Sequence, residues 1–127
     1  MRPLKVLGIV VLASAAFGTG MIFSALRNRD DTVRATIVNH VQQPVQSFTL
    51  RYTTCGTETQ ISGRGLLPGK SRIIRYSVCG EGGYVLEATL ADGRVLKGKD
   101  GYVESGYSTV DTVTTKGIES EQSTYAL

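Results

Sequence analysis

The sequence predicts an all-β domain, a small antiparallel sandwich of about seven short strands, behind a single N-terminal transmembrane helix. Three observations lead there. Apolar and polar residues alternate with period two through much of residues 33–115, glycine- and proline-bearing clusters separate those stretches, and one long uncharged apolar run precedes them all.

That run, Val6 to Leu26, holds twenty-one residues without a charge, with Arg2 and Lys5 before it and Arg27 and Arg29 after it. A helix rises about 1.5 Å per residue, so this length suits the roughly 30 Å hydrocarbon layer. The expected organisation is therefore a short cytoplasmic segment (1–5), a signal anchor (6–26), a juxtamembrane stalk (27–32), a β-sandwich (33–115) and a disordered tail (116–127). A cleaved signal peptide competes, because the charged start, the apolar Val6 to Leu12 and the small patch Ala13-Ser14-Ala15 meet its requirements. Phe17, Met21, Ile22, Phe23 and Leu26 prolong the apolar character past that patch, which favours the anchor. Basic residues flank both ends almost equally, so charge does not orient the span. The two cysteines do: a pair in a small β-rich domain reads as a disulfide, and disulfides persist outside the cytosol. The expected location is a bacterial inner membrane with the domain in the periplasm; the alternative is a secreted or periplasmic protein after signal cleavage.

The chain carries a formal +3 over 127 residues, but setting aside Arg2, Lys5, Arg27 and Arg29 leaves ten basic against eleven acidic residues from Asp30 onward. The basic character belongs to the flanks of the span. A nucleic-acid binder needs a basic face on the domain itself, so that partner class is disfavoured.

The strands follow in order. Val33 to Asn39 alternates with Val33, Ala35 and Ile37 on one face, and His40 to Pro44 is a turn. Val45 to Thr54 places Phe48, Leu50 and Tyr52 inward. Its ending, Arg51-Tyr52-Thr53-Thr54-Cys55-Gly56, is echoed by Arg75-Tyr76-Ser77-Val78-Cys79-Gly80 at the end of a strand Ser71 to Cys79. A bridge between two strand-terminal cysteines requires both strands to finish at the same end, because a disulfide tolerates a Cα separation of only about 7 Å. Thr57 to Ser62 then has to return the chain as a short strand, followed by the loop Gly63 to Gly69 with Leu66 and Leu67 tucked beneath it. After a turn at Gly80 to Gly83, a strand buries Tyr84, Leu86, Ala88 and Leu90. Asp92-Gly93 is a hairpin signal into Arg94 to Gly98. Tyr102 to Thr115 is the last β segment, with Gly106 marking a bulge or a switch of sheet. Lys116 onward has no periodicity.

Short strands, frequent turns and no helical pattern outside the span imply an immunoglobulin-like sandwich. The likeness is one of architecture only: there is no tryptophan, and the cysteines stand too close in sequence for the inter-sheet bridge of antibody domains.

Catalytic and metal chemistry find little support. His40 is the only histidine and sits in a turn, as exposed polar histidines do. Val103-Glu104-Ser105-Gly106 lacks the first glycine of a nucleophile elbow. A set of Asp111, His40 and a serine requires an assembly in space that the sequence does not specify. Two cysteines and one distant histidine make no zinc shell, and Gly63-x-Gly65 makes no phosphate cradle. The expectation is a non-enzyme without cofactor, metal or small-molecule substrate.

Surface recognition remains. Tyr102, Glu104 and Tyr107 gather two amphipathic rings and a carboxylate between glycines, the composition of a contact patch. The competing reading has both tyrosines capping the core. Arg51 and Arg75 are candidates to face an acidic partner, the competing reading being solvated arginines beside Glu58 or Glu87, and Ser108 to Thr115 is a candidate sheet edge for strand addition. The expected role is an accessory or structural part of a membrane-associated assembly that binds protein partners; the alternative is a membrane-tethered inhibitor or immunity protein.

Overall fold

The computed structural model of the chain describes residues 31–124. The expected segments at 1–5 and 6–26 lie outside the described residues, as do most of the stalk and the last three residues. Among the described residues there are nine strands: β1 (Thr32–Asn39), β2 (Val45–Thr54), β3 (Thr57–Leu66), β4 (Ser71–Ser77), β5 (Glu81–Leu90), β6 (Val95–Lys97), β7 (Gly101–Glu104), β8 (Tyr107–Thr114) and β9 (Gly117–Thr124).

They form two sheets. One has the order β4-β1-β8-β9; the other has β3-β2-β5, with β6 and β7 pairing successive lengths of β5. Alternation places Val33, Ala35 and Ile37 of β1, Phe48 and Leu50 of β2, and Tyr84, Leu86, Ala88 and Leu90 of β5 in one buried cluster. Each such aliphatic or phenyl side chain contributes about 1.5–3 kcal/mol when fully buried. The strands thus bury the residues their period-two pattern assigns to the interior.

Several expectations are corrected. The sandwich is not wholly antiparallel, because β1 and β8 pair in parallel. The chain reaches β8 from β7, in the other sheet, through a turn at Ser105-Gly106, with Gly106 at φ +86° and its N–H donating to the Thr32 carbonyl at 2.9 Å. Gly106 therefore marks the switch of sheet that the sequence allowed. β8 is an interior strand, not an edge, since β9 covers its other side.

Residues 117–124, expected to be disordered, are that covering strand. As an edge strand with mostly exposed residues, β9 needs no apolar period, and its sequence carries none. Gly63 and Gly65 belong to β3 rather than to a loop. A Cβ on Gly63 would collide with the Phe48 ring, so this glycine serves a close approach. Leu66 is buried as expected, while Leu67 is 55% exposed.

The Cys55–Cys79 disulfide is present, with Cα atoms 6.1 Å apart. β2 and β4 do finish together, with β3 returning the chain between them. Contrary to expectation, this bridge joins the two sheets, since β2 and β4 belong to different ones. Closeness in sequence is no obstacle when the chain changes sheet between the cysteines. Connectivity also departs from antibody domains: β1 and β2 lie in opposite sheets, whereas antibody domains keep their first two strands in one.

Candidate functional site

The residues singled out for recognition divide between two surfaces. On the five-stranded sheet, Leu50, Tyr84, Leu86 and Val103 point inward, so Arg51, Thr53, Gly83, Val85, Tyr102 and Glu104 share the outer face. One row crosses it: Glu58 stands opposite Thr53, Thr53 opposite Gly83, and Gly83 opposite Tyr102. Gly83 contributes no side chain to that row. A shallow depression of about 310 Å³ opens there, lined by Arg51, Thr53, Glu58, Val85 and Asp100.

Tyr102 is 43% exposed beside it. Its hydroxyl donates to Glu104 Oε1 at 2.6 Å, with Glu81 Oε1 also within reach at 3.3 Å. The hydrogen bond to the Glu104 carboxylate, above all, raises the phenol well beyond its ordinary pKa. The ring is therefore a neutral, oriented aromatic surface beside carboxylates. Tyr107 is half-buried, packs on the core and meets the Tyr102 ring edge-on at 5.8 Å. The core-capping reading holds for Tyr107 and not for Tyr102, which is exposed.

Arg51 lies 3.8 Å from Glu58, an exposed pair of the kind worth little to stability. Arg75 is exposed on the outer face of the other sheet, opposite Arg34. The structure does not bring Arg51 and Arg75 together, so they do not form one basic surface. Glu81, Glu58, Asp100 and the missing side chain at Gly83 join the site through register alone.

A second polar group of residues lies inside. Asp111 is 1% exposed, and its Oδ1 accepts from the Tyr84 hydroxyl at 3.0 Å and from the Ser120 hydroxyl. Gln122 Nε2 donates to Tyr84 Oη at 3.4 Å. Burial raises the Asp111 pKa, opposed by the bonds from Ser120 and Tyr84. Burial, and next the charge of Asp111, push Tyr84 up to about 12. Asp111 Oδ2, Tyr76 Oη and Thr109 Oγ1 are buried without a hydrogen-bond partner. This is a protonatable centre enclosed between the sheets.

His40 is exposed in the loop after β1, and its backbone N–H is held by the Val113 carbonyl at 2.9 Å. The partners of Asp111 are Tyr84 and Ser120, and no hydrogen bond joins it to His40. Among the described residues, no group of three or more His, Cys, Asp or Glu side chains is placed to hold a metal ion, and no helix is long and apolar enough to cross a membrane.

No protein-family model matches this chain, and no curated protein matches it. Among solved structures it is similar to an NMR structure of a protein from Eubacterium rectale, at 16% identity over 72% of this chain and 87% of that one, with a TM-score of 0.49.

Proposed function

We propose that this chain is a non-catalytic recognition protein, anchored in a bacterial inner membrane by residues 6–26, whose immunoglobulin-like sandwich binds protein partners in the periplasm as part of a membrane-associated assembly. The contact surface is the outer face of the five-stranded sheet around Tyr102. One observation carries this reading: an exposed tyrosine, oriented by Glu104 and Glu81, stands beside the depression over Gly83. An aromatic ring fixed before contact loses little entropy on binding, and tyrosines of this kind supply much of the energy of interfaces. The disulfide supports the periplasmic side, because such bonds last in oxidising compartments.

The test is co-purification of the full-length chain from detergent-solubilised membranes, comparing wild type with Tyr102→Ala. A stoichiometric partner should remain with the wild type and be depleted at least about tenfold with the variant, a loss equal to about 1.4 kcal/mol. The thermal midpoint of the variant should not change. Equal capture by both proteins would refute the assignment of the face.

A further inference from the structure

We propose that the partner seated on the Tyr102 face is a second copy of this chain, presenting the outer face of its four-stranded sheet around Arg75 and Ile73. This rests on the reading of the Tyr102 face as a contact surface and names its occupant.

The patch around Tyr102 is acidic and the patch around Arg75 is basic. Glu81 and Glu104 hold the Tyr102 hydroxyl, and Glu58 and Asp100 line the depression beside it, where Arg51 is turned to Glu58 at 3.8 Å. Farther along the same face, Lys97 is opposite Glu87. On the other sheet, Arg75 is exposed beside Arg34, and Ile73 is 53% exposed opposite Thr36. Thr36, Val38, Val110 and Thr112 continue that surface as half-buried β-branched residues. Its acidic residues, Glu119 and Glu121, are confined to β9 at the far edge.

The faces also match in height. Tyr52 and Tyr76 lie ring to ring across the interior, with centroids 4.2 Å apart. Arg75 precedes Tyr76, and Thr53 follows Tyr52 in the row that leads through Gly83 to Tyr102. Arg75 and the row that ends at Tyr102 are thus close in height on opposite sides of one domain. Both lie near the end at which residue 31 enters, where the Val78 N–H donates to the Asp31 carbonyl. Copies set side by side at the same height meet acid to base. With the Arg51 guanidinium turned to Glu58, Arg75 of the second copy brings a further guanidinium, able to fork onto carboxylates and to lie on the aromatic ring. Ile73, two residues away on the same face, brings apolar contact. Because two different patches meet, the contact is heterologous: it does not close on itself at two copies and extends as a row.

The experiment is sedimentation of the full-length chain in detergent over graded protein and salt concentrations, with Arg75→Glu and Glu104→Arg variants. Wild type should self-associate, less so as salt rises. Each reversal should weaken association at least about tenfold, because like charges then face each other. An equimolar mixture of the two variants should recover it, since each supplies the face the other has lost; misfolded variants cannot do this. A monomeric wild type, or a mixture that fails to recover, overturns the proposal. If the wild type is monomeric but its capture of another protein still depends on Tyr102, the second copy is refuted and the contact face stands; loss of that dependence as well refutes both.

Discussion

At the end where residue 31 enters, the two sheets are joined by the Cys55–Cys79 bond and by the Tyr52–Tyr76 ring contact, with the Cys79 N–H donating to Thr54 Oγ1 at 2.9 Å. At the other end no covalent link occurs among the described residues, and one fully buried amide takes its place. Asn39 Nδ2 donates to the carbonyls of Gln43 and Leu66, both at 3.0 Å, and its Oδ1 accepts from the Val41 N–H at 2.8 Å. Gln43 and Asp92 then tie two loops together by a reciprocal pair of hydrogen bonds at 2.9 Å. The difference is one of sensitivity. A reductant should loosen the first end and leave the second intact, and the Tyr102 face belongs to the first.

The largest effect is expected at the second end. Asn39→Ala strands the Val41 N–H and two backbone carbonyls, and with about 1–3 kcal/mol for each buried group left unsatisfied it should cost about 4 kcal/mol in urea unfolding. Next comes the replacement of both cysteines by serine. A staple closing a loop of this size is worth about 3 kcal/mol in the chain-entropy model. Amide exchange should accelerate around Thr54, Val78 and Gly106 while the amides of Val41 and Gly69 stay protected. Equal acceleration at both ends would break the comparison.

Asp111, buried between the sheets, should give a smaller effect, legible through pH. Its pKa is raised in the folded protein, chiefly by burial. The folded state therefore favours the protonated carboxyl. Its contribution to stability is complete below the unfolded carboxylate pKa of about 3.9 and is lost as pH rises through the higher folded value. Thermal melts of Asp111→Asn should lack that decline. The smallest effect is expected for Asp92→Ala at the exposed loop tie. There the Gln43 bond holds the carboxyl below its ordinary pKa, so the tie weakens as pH falls. Chemical-shift changes confined to residues 42–44 and 91–94, with an unchanged midpoint, are the predicted result.

Much of the sandwich was legible because its central strands obey one rule. In β1, β2 and β5 a buried apolar residue alternates with a solvent-facing one, and period two identifies such strands directly. β8 obeys the same geometry with other residues. Its inward positions are Thr109, Asp111 and Val113, while Val110 faces out, so apolarity alone assigns its faces wrongly. β9 was missed because an edge strand need bury nothing. The candidate site was legible at Tyr102 and Glu104, where composition is local. Glu58 was legible as a neighbour of Arg51; Glu81 and Gly83 were not, because cross-strand register brings them there and no spacing in the sequence encodes it. Arg51 and Arg75 appear alike in the internal echo, yet the chain changes sheet between them.

The account depends on a sandwich whose two cysteines are joined while the protein is in its native compartment. Intact cells treated with a membrane-permeant alkylating reagent, followed by peptide mapping without reduction, test this directly. The predicted result is one linked pair of peptides containing Cys55 and Cys79, with neither thiol alkylated. Recovery of both cysteines as alkylated, unlinked peptides would contradict it.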